Sequence, residues 1–279
     1  MLPNLIIIGA AKSGTTALHR YLRVHPEIWM SPIKELNYFV AEQNWGRGID
    51  WYSRWFPRDL PVRGESSPKY SCAPKHPGVP DRMVTVVPDT RLIYVVRDPL
   101  ERMRSDYVDA VYHAGMRWPV APFEEQLRDP TSRVYSQSCY WQQLQLYRAH
   151  FPDDRIHLVQ HEALRDRRDE TLRSVFRFLG VDESFTHGSF RRLHNETRPK
   201  RRRRPAAEKA ANTLTRWVGP SVSARARGWI PAVLSRPFTD EIPWPEIPPA
   251  LRPELEATFH AEAERLRSWS GLTLESWSV

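Results

Sequence analysis

The chain has 279 residues, 41% of them hydrophobic, enough to bury a full core but short for two well-separated domains. Cys72 and Cys139 are the only cysteines, which excludes a disulfide framework, shows no metal-ligand spacing and points to a reducing compartment. Seven of the eight net positive charges fall between Arg191 and Arg204, in RRLHNETRPKRRRR. A nucleic-acid interface needs basic residues spread over a face with stacking aromatics, so none is expected from this one local cluster.

In chain order, LIIIG at 5–9 is an apolar run closed by a Gly-rich turn. It reads as a buried strand, too brief for a signal peptide or a membrane anchor. TTALHRYLRVHP follows, with Ala17, Leu18, Tyr21 and Leu22 at helical spacing, and the helix is expected to end at His25-Pro26. RLIYVV at 91–96 is a second continuous apolar run, as in a buried parallel strand. The helix after it takes Asp98 as N-cap and Pro99 in its first turn. Residues 133–150 are expected to form one long helix, RIHLVQ at 155–160 a strand, and DETLRSVFRFLG a helix closed by Gly180.

Beyond Pro205, AAEKAANTLTRWVG and SARARGWIPAVL suggest short amphipathic helices, a Pro-rich link runs from Pro237 to Pro253, and PELEATFHAEAERLRSW is a closing helix. Trp217, Trp229 and Ile230 read as core-packing residues in preference to a membrane face. The alternation of strands and helices gives an α/β fold with a mostly parallel central sheet, and ligands are expected at the strands' carboxyl ends. One domain over residues 1–279 is expected, with a core at about 5–200 and a helical C-terminal elaboration at about 205–279.

GAAKSGTT has the Gly9-to-Gly14 spacing of a nucleotide-triphosphate loop, but Thr15 stands where lysine belongs, and the loop's lysine is Lys12. Backbone amides of such a turn at a helix N-terminus suit a phosphate whatever the side chains. A triphosphatase would also need an acidic magnesium ligand at a strand end, whereas the second strand ends in Arg97. A cation there asks for a second anion on the ligand, although a surface salt bridge of Arg97 to Asp98 or Glu101 is the plainer alternative.

The ordered set GAAKSGTTAL, KELNYF, RLIYVVRDPLERMRSDY and SCYWQQLQLYRAHFPDDRIHLVQHEAL resembles the sulfotransferases that use 3'-phosphoadenosine 5'-phosphosulfate (PAPS), over about residues 5–200. The resemblance implies a P-loop-like fold in which Lys12, Ser13, Gly14, Thr15 and Thr16 bind the 5'-phosphosulfate, Lys12 touching the bridging oxygen. It implies that Arg97 and Ser105 grip the 3'-phosphate, with help from a basic loop to which Arg198, Lys200 and Arg201 belong. Ser138 and Tyr140 match a Ser-x-Tyr pattern near the nucleotide. Sulfuryl transfer carries less charge than phosphoryl transfer, so a lysine and amides suffice and no metal is required.

The acceptor hydroxyl needs a general base. KELNYF resembles the heparan-type branch, which uses a glutamate, and implies Glu35; Ala17 agrees, since the cytosolic branch typically has tryptophan there. The plain alternative for Glu35 is a solvated partner of Lys34. His113 is the runner-up base or an acceptor-orienting group. One departure stands out: the heparan-type E-K-[ST]-P motif reads ESSP in GESSPKY at 64–70, with Ser66 in place of the lysine and Lys69 three residues on. The expected activity is sulfuryl transfer from PAPS to a hydroxyl of a carbohydrate, lipid or secondary metabolite, in the cytoplasm. A magnesium-dependent P-loop kinase and a non-catalytic polyanion-binding module are the alternatives.

Overall fold

The computed structural model describes residues 1–114, 120–191, 201–203 and 239–279, the backbone alone at 201–203 and 239–240. Its elements are β1 Leu5–Gly9, α1 Thr15–Leu22, β2 Ile28–Met30, α2 Gly48–Ser53, β3 Val62–Ser66, α3 Val79–Val86, β4 Arg91–Val96 and α4 Pro99–Ala114. They continue with α5 Phe123–Arg128, α6 Arg133–Ser136, α7 Tyr140–Arg148, β5 Ile156–Gln160, α8 His161–Asp166, α9 Arg168–Leu179, β6 Arg201–Arg203, β7 Thr239–Glu241 and α10 Arg252–Ser270. Two compact units are present: one of Met1–Met103, Glu124–Glu196 and Ile247–Val279, the other of Arg104–Phe123 and Thr197–Glu246.

The first unit holds a parallel five-stranded sheet in the order β2-β3-β1-β4-β5. Because side chains alternate across a strand, the unbroken apolar runs of β1 and β4 feed two cores. Ile6, Ile8, Leu92, Tyr94 and Val96 face one core with Tyr140, Tyr147 and Leu266, while Leu5, Ile7, Ile93 and Val95 face the other with Leu18, Tyr21 and Phe176. β1 leads out toward β2 on one side and β4 toward β5 on the other, so the order in which strands are added reverses between β1 and β4, which run parallel. Such a switch point opens a crevice at the carboxyl ends of the two strands.

Local signals explain the helix ends. The Asp98 carboxylate accepts from the Glu101 amide at 2.9 Å, capping α4 as its sequence indicates. Gly180 adopts φ 68° after α9, and Val181 N–H returns to the Phe176 carbonyl at 3.1 Å, closing that helix. α1 stops at Leu22, three residues short of His25. The amides of Trp141 and Gln142, at the start of α7, donate to buried Glu262 of α10.

The single helix expected over 133–150 is not formed: α6 and α7 are separated by Gln137–Cys139. In a continuous helix the Val134 carbonyl would accept from the Ser138 amide. Here the buried Arg102 guanidinium takes that carbonyl, and the Ser138 amide turns to Tyr135 O at 2.8 Å instead.

In the second unit, the Arg104 guanidinium donates to Pro245 O at 2.8 Å and lies over the Trp244 ring, and Tyr107 packs against Phe123. Arg201–Arg203 pairs antiparallel with Thr239–Glu241, so part of the basic run is a strand. The two amphipathic segments expected between 205 and 235, with Trp217, Trp229 and Ile230, lie outside the described residues.

Candidate nucleotide and acceptor site

β1 ends at Gly9, and the chain turns through Ala10–Gly14 into α1. Gly9 has to be glycine, since a Cβ there would fall 1.8 Å from Ser71 Oγ. Gly14 has φ 94°, and its Cβ would lie 2.8 Å from His161 Nδ1. Lys12 also adopts a left-handed φ of 69°, so left-handed residues stand on either side of Ser13. Alternation of this kind gathers successive backbone N–H groups into an anion-binding concavity. Thr15 and Thr16 open α1, where amides lack intrahelical acceptors.

Three consecutive loop carbonyls are held from behind. Ala11 O accepts from Arg102 Nη1 at 3.5 Å, Lys12 O from Arg97 Nη1 at 3.2 Å, and Ser13 O lies 3.1 Å from His161 Nδ1. Arg97, the residue after β4, thereby reaches across the crevice to the loop after β1. It also lies 3.7 Å from Glu101, the partner that a plain salt bridge would supply. The Arg97 amide donates to the Tyr140 hydroxyl at 3.4 Å, and burial raises that phenol well above its ordinary pKa.

Of the other anticipated residues, Ser13 is buried in the loop and Thr15 at the start of α1. Ser138 is buried as well, accepting from Arg102 Nε at 2.6 Å, which makes it part of the support beneath the loop. Ser105 is buried on α4 within the second unit. His113 lies in that same unit, its side chain 70% exposed and 3.7 Å from Asp109 one turn earlier. Arg198 and Lys200 lie outside the described residues, and Arg201 is described only as backbone of β6.

Glu35 is brought to the end of β3. Its amide donates to Ser66 O at 2.9 Å, the next hydrogen-bonded amide, Asn37 N–H, reaches Ser67 Oγ at 3.0 Å, and Phe39 N–H reaches the Tyr70 hydroxyl at 3.4 Å. Both Glu35 and Asn37 have left-handed backbones, with φ 66° and 47°. The Glu35 carboxylate is 45% exposed and 2.8 Å from the Lys34 ammonium, so the ion pair of the plain alternative is present. β3 lies beside β1 and parallel to it, which places the segment bearing Glu35 and the loop bearing Lys12 at the same carboxyl end of the sheet. Lys69 points to Gln43 at 3.3 Å, on the segment following Glu35.

Beneath Glu35 lies an arrangement that sequence reading did not single out. Glu65 is fully buried and accepts from Tyr52 at 2.5 Å, Ser67 at 2.6 Å and Tyr70 at 2.8 Å. Burial raises its carboxyl pKa, and the three hydroxyl donors pull it back. Arg102, His161 and Glu162 were missed too. Glu162 accepts from the Asp98 amide at 3.0 Å and from the Trp277 indole at 3.3 Å. Cys72 and Cys139 are buried and not joined in a disulfide. Among the described residues no group of three or more His, Cys, Asp or Glu is placed to hold a metal ion, and no helix is long and apolar enough to cross a membrane.

Residues 2–222 match the family described as "Sulfotransferase domain". Human heparan sulfate glucosamine 3-O-sulfotransferase 5 is 29% identical over 190 residues, 64% of this chain and 54% of that protein. Mouse heparan sulfate glucosamine 3-O-sulfotransferase 3B1 is 32% identical over 199 residues, 68% of this chain and 49% of that one. The chain thus spans about half the length of these curated relatives. A sulfotransferase crystal structure from Alicyclobacillus acidocaldarius superposes with a TM-score of 0.60 at 25% identity, covering 85% of this chain and 97% of that chain. With a strand-loop-helix cradle, an arginine spanning the switch point and a family match over most of its length, the chain belongs to the sulfotransferase domain family.

Proposed function

We propose that the protein transfers a sulfuryl group from PAPS to a hydroxyl of a carbohydrate, lipid or secondary-metabolite acceptor, by in-line displacement with Glu35 as general base. The observation that carries this reading is the Arg97 guanidinium on the Lys12 carbonyl, which joins the loop and a second cation at one crevice. A nucleotide with anions at both its 5' and 3' positions fits that pairing. The loop fits too, because its carbonyls are engaged behind it and a side chain at Gly14 would collide with His161. A triphosphate kinase fits less well, since Arg97 stands where an acidic magnesium ligand would be needed.

The nucleotide, when bound, supplies the sulfuryl group and a phosphate as leaving group. Lys12 and the amides from Gly14 to Thr16 stabilise negative charge on that phosphate. Arg97 holds the 3'-phosphate, and Tyr140 fixes the backbone from which Arg97 projects; for Ser105, Arg198, Lys200 and Arg201 the same role rests on the sequence resemblance alone. Glu35 removes the acceptor proton, exchanging its contact with Lys34 for one with the hydroxyl. His113 remains the second candidate for that proton.

The names of the curated relatives favour a glycan acceptor, whereas Ser66, in place of the heparan-type lysine, favours one less anionic than heparan. We place the activity in the cytoplasm, where the activated donor is made. The test is release of 3'-phosphoadenosine 5'-phosphate (PAP) from PAPS in the presence of a panel of hydroxyl acceptors and chelator. Acceptor-dependent release supports the proposal; ATP-dependent, magnesium-requiring phosphorylation of the same panel would replace it with the kinase.

A further inference from the structure

We infer that His161 is a positioning residue of the nucleotide site, which acts as an Nδ1–H donor to the Ser13 carbonyl and so keeps the loop amides turned toward the ligand. The inference rests on reading the loop as the phosphosulfate cradle. His161 opens α8 directly after β5, so its backbone belongs to the sheet end and not to the loop it supports. Its ring lies against Gly14 so closely that a Cβ there would reach Nδ1 at 2.8 Å.

A carbonyl oxygen can only accept, and the only ring nitrogen facing it is Nδ1, 3.1 Å from Ser13 O. In a neutral imidazole one nitrogen donates and the other accepts. Burial, with Arg97 and Arg165 adding to it, lowers the His161 pKa to about 4, so the ring is neutral at pH 7 and carries its one hydrogen on Nδ1. Arg102 and Arg97 hold the two preceding carbonyls. His161 therefore completes a row of three donors on Ala11, Lys12 and Ser13. A peptide group whose carbonyl is held on one side presents the following N–H on the other, because the unit is planar. The amides that follow these three carbonyls belong to Lys12, Ser13 and Gly14. The Ser13 amide donates within the turn, to Ala10 O at 3.3 Å, and the Gly14 amide is the one His161 directs.

The adjoining residue extends the same joint. Glu162 accepts the amide of Asp98, the residue after Arg97. The end of β5 thus touches both the loop after β1 and the start of α4.

Two measurements test the inference. In the unmodified protein at pH 7, long-range proton–nitrogen correlation spectra are expected to show His161 in the Nδ1–H tautomer. The Nε2–H tautomer would overturn the inference, whether or not PAP binds. Calorimetric titration of PAP is then compared for the parent, His161→Leu and His161→Asn. Leucine removes the donor and is expected to weaken binding about tenfold, the scale of one lost hydrogen bond to a buried acceptor. Asparagine offers an amide N–H close to the position of Nδ1 and is expected to recover affinity to within about threefold of the parent. Parent-like binding by the leucine variant would overturn the inference. So would failure of asparagine to recover affinity at an unchanged melting temperature. If leucine prevents folding, the tautomer and the asparagine variant still decide. A parent protein that does not prefer PAP to adenosine 5'-phosphate would instead refute the proposed function and leave the tautomer result standing.

Discussion

Replacing Glu65 by alanine probes the support under the proposed base. Glu65 is fully buried and takes hydrogen bonds from Tyr52, Ser67 and Tyr70 at 2.5, 2.6 and 2.8 Å. The Ser67 and Tyr70 oxygens in turn accept the amides of Asn37 and Phe39, so the carboxylate orients the hydroxyls that hold the segment after Glu35. Alanine leaves three buried hydroxyls without their acceptor, at about 1–3 kcal/mol each. Removing a buried charge returns part of that through its relieved desolvation. A net destabilisation of about 3 kcal/mol is expected, read as a lower urea midpoint with an unchanged slope. Glu65→Gln keeps a carbonyl oxygen for the two tyrosines and is expected to lose only about 1 kcal/mol. An alanine variant within about 0.5 kcal/mol of the parent would refute the reasoning, since it would mean that the three hydroxyls find other partners.

Four further outcomes are expected. Glu35→Gln is expected to lower turnover by about 10²- to 10⁴-fold with PAP affinity kept, and retained turnover in a PAPS assay would remove Glu35 as base. Arg97→Ala is expected to weaken PAP binding by about 2–5 kcal/mol in calorimetry, and unchanged affinity would contradict its assignment. Gly14→Ala forces a left-handed alanine, at about 1–2 kcal/mol, and drives its Cβ toward His161 at 2.8 Å; PAP affinity is expected to fall at least tenfold, and parent-like binding would show that the loop tolerates the side chain. Burial lowers His19, His157 and His161 to about 4. As pH falls from about 6.5 toward 4, the unfolded chain takes up protons that the folded chain does not, so each histidine withdraws at most roughly 3 kcal/mol. Urea unfolding is expected to show lower stability at pH 4.5 than at pH 7, and equal stability would contradict the depressed values.

The elements most legible in the sequence are those whose causes are local. β1 and β4 are unbroken apolar runs, α4 carries its own Asp98 cap, and α9 ends on its own Gly180. β2 is an edge strand of three residues, too short for a pattern to emerge. The break between α6 and α7 could not be read from residues 133–150, because the group that makes it, Arg102, is 32 positions away from the carbonyl it takes. The site divides in the same way. Lys12, Gly14, Thr15 and Arg97 announce themselves by spacing and strand ends, but the donors behind the loop are 91 positions away at Arg102 and 148 at His161. Glu65 was visible only as a motif letter, since its role depends on Tyr52 and Tyr70 folding over it.

Calorimetric titration of PAP without magnesium, with adenosine 5'-phosphate and ATP as controls, tests the central claim most directly. Tight binding of PAP that is lost when the 3'-phosphate is absent is the expected result. Equal affinity for adenosine 5'-phosphate, or binding of ATP that requires magnesium, would contradict the account.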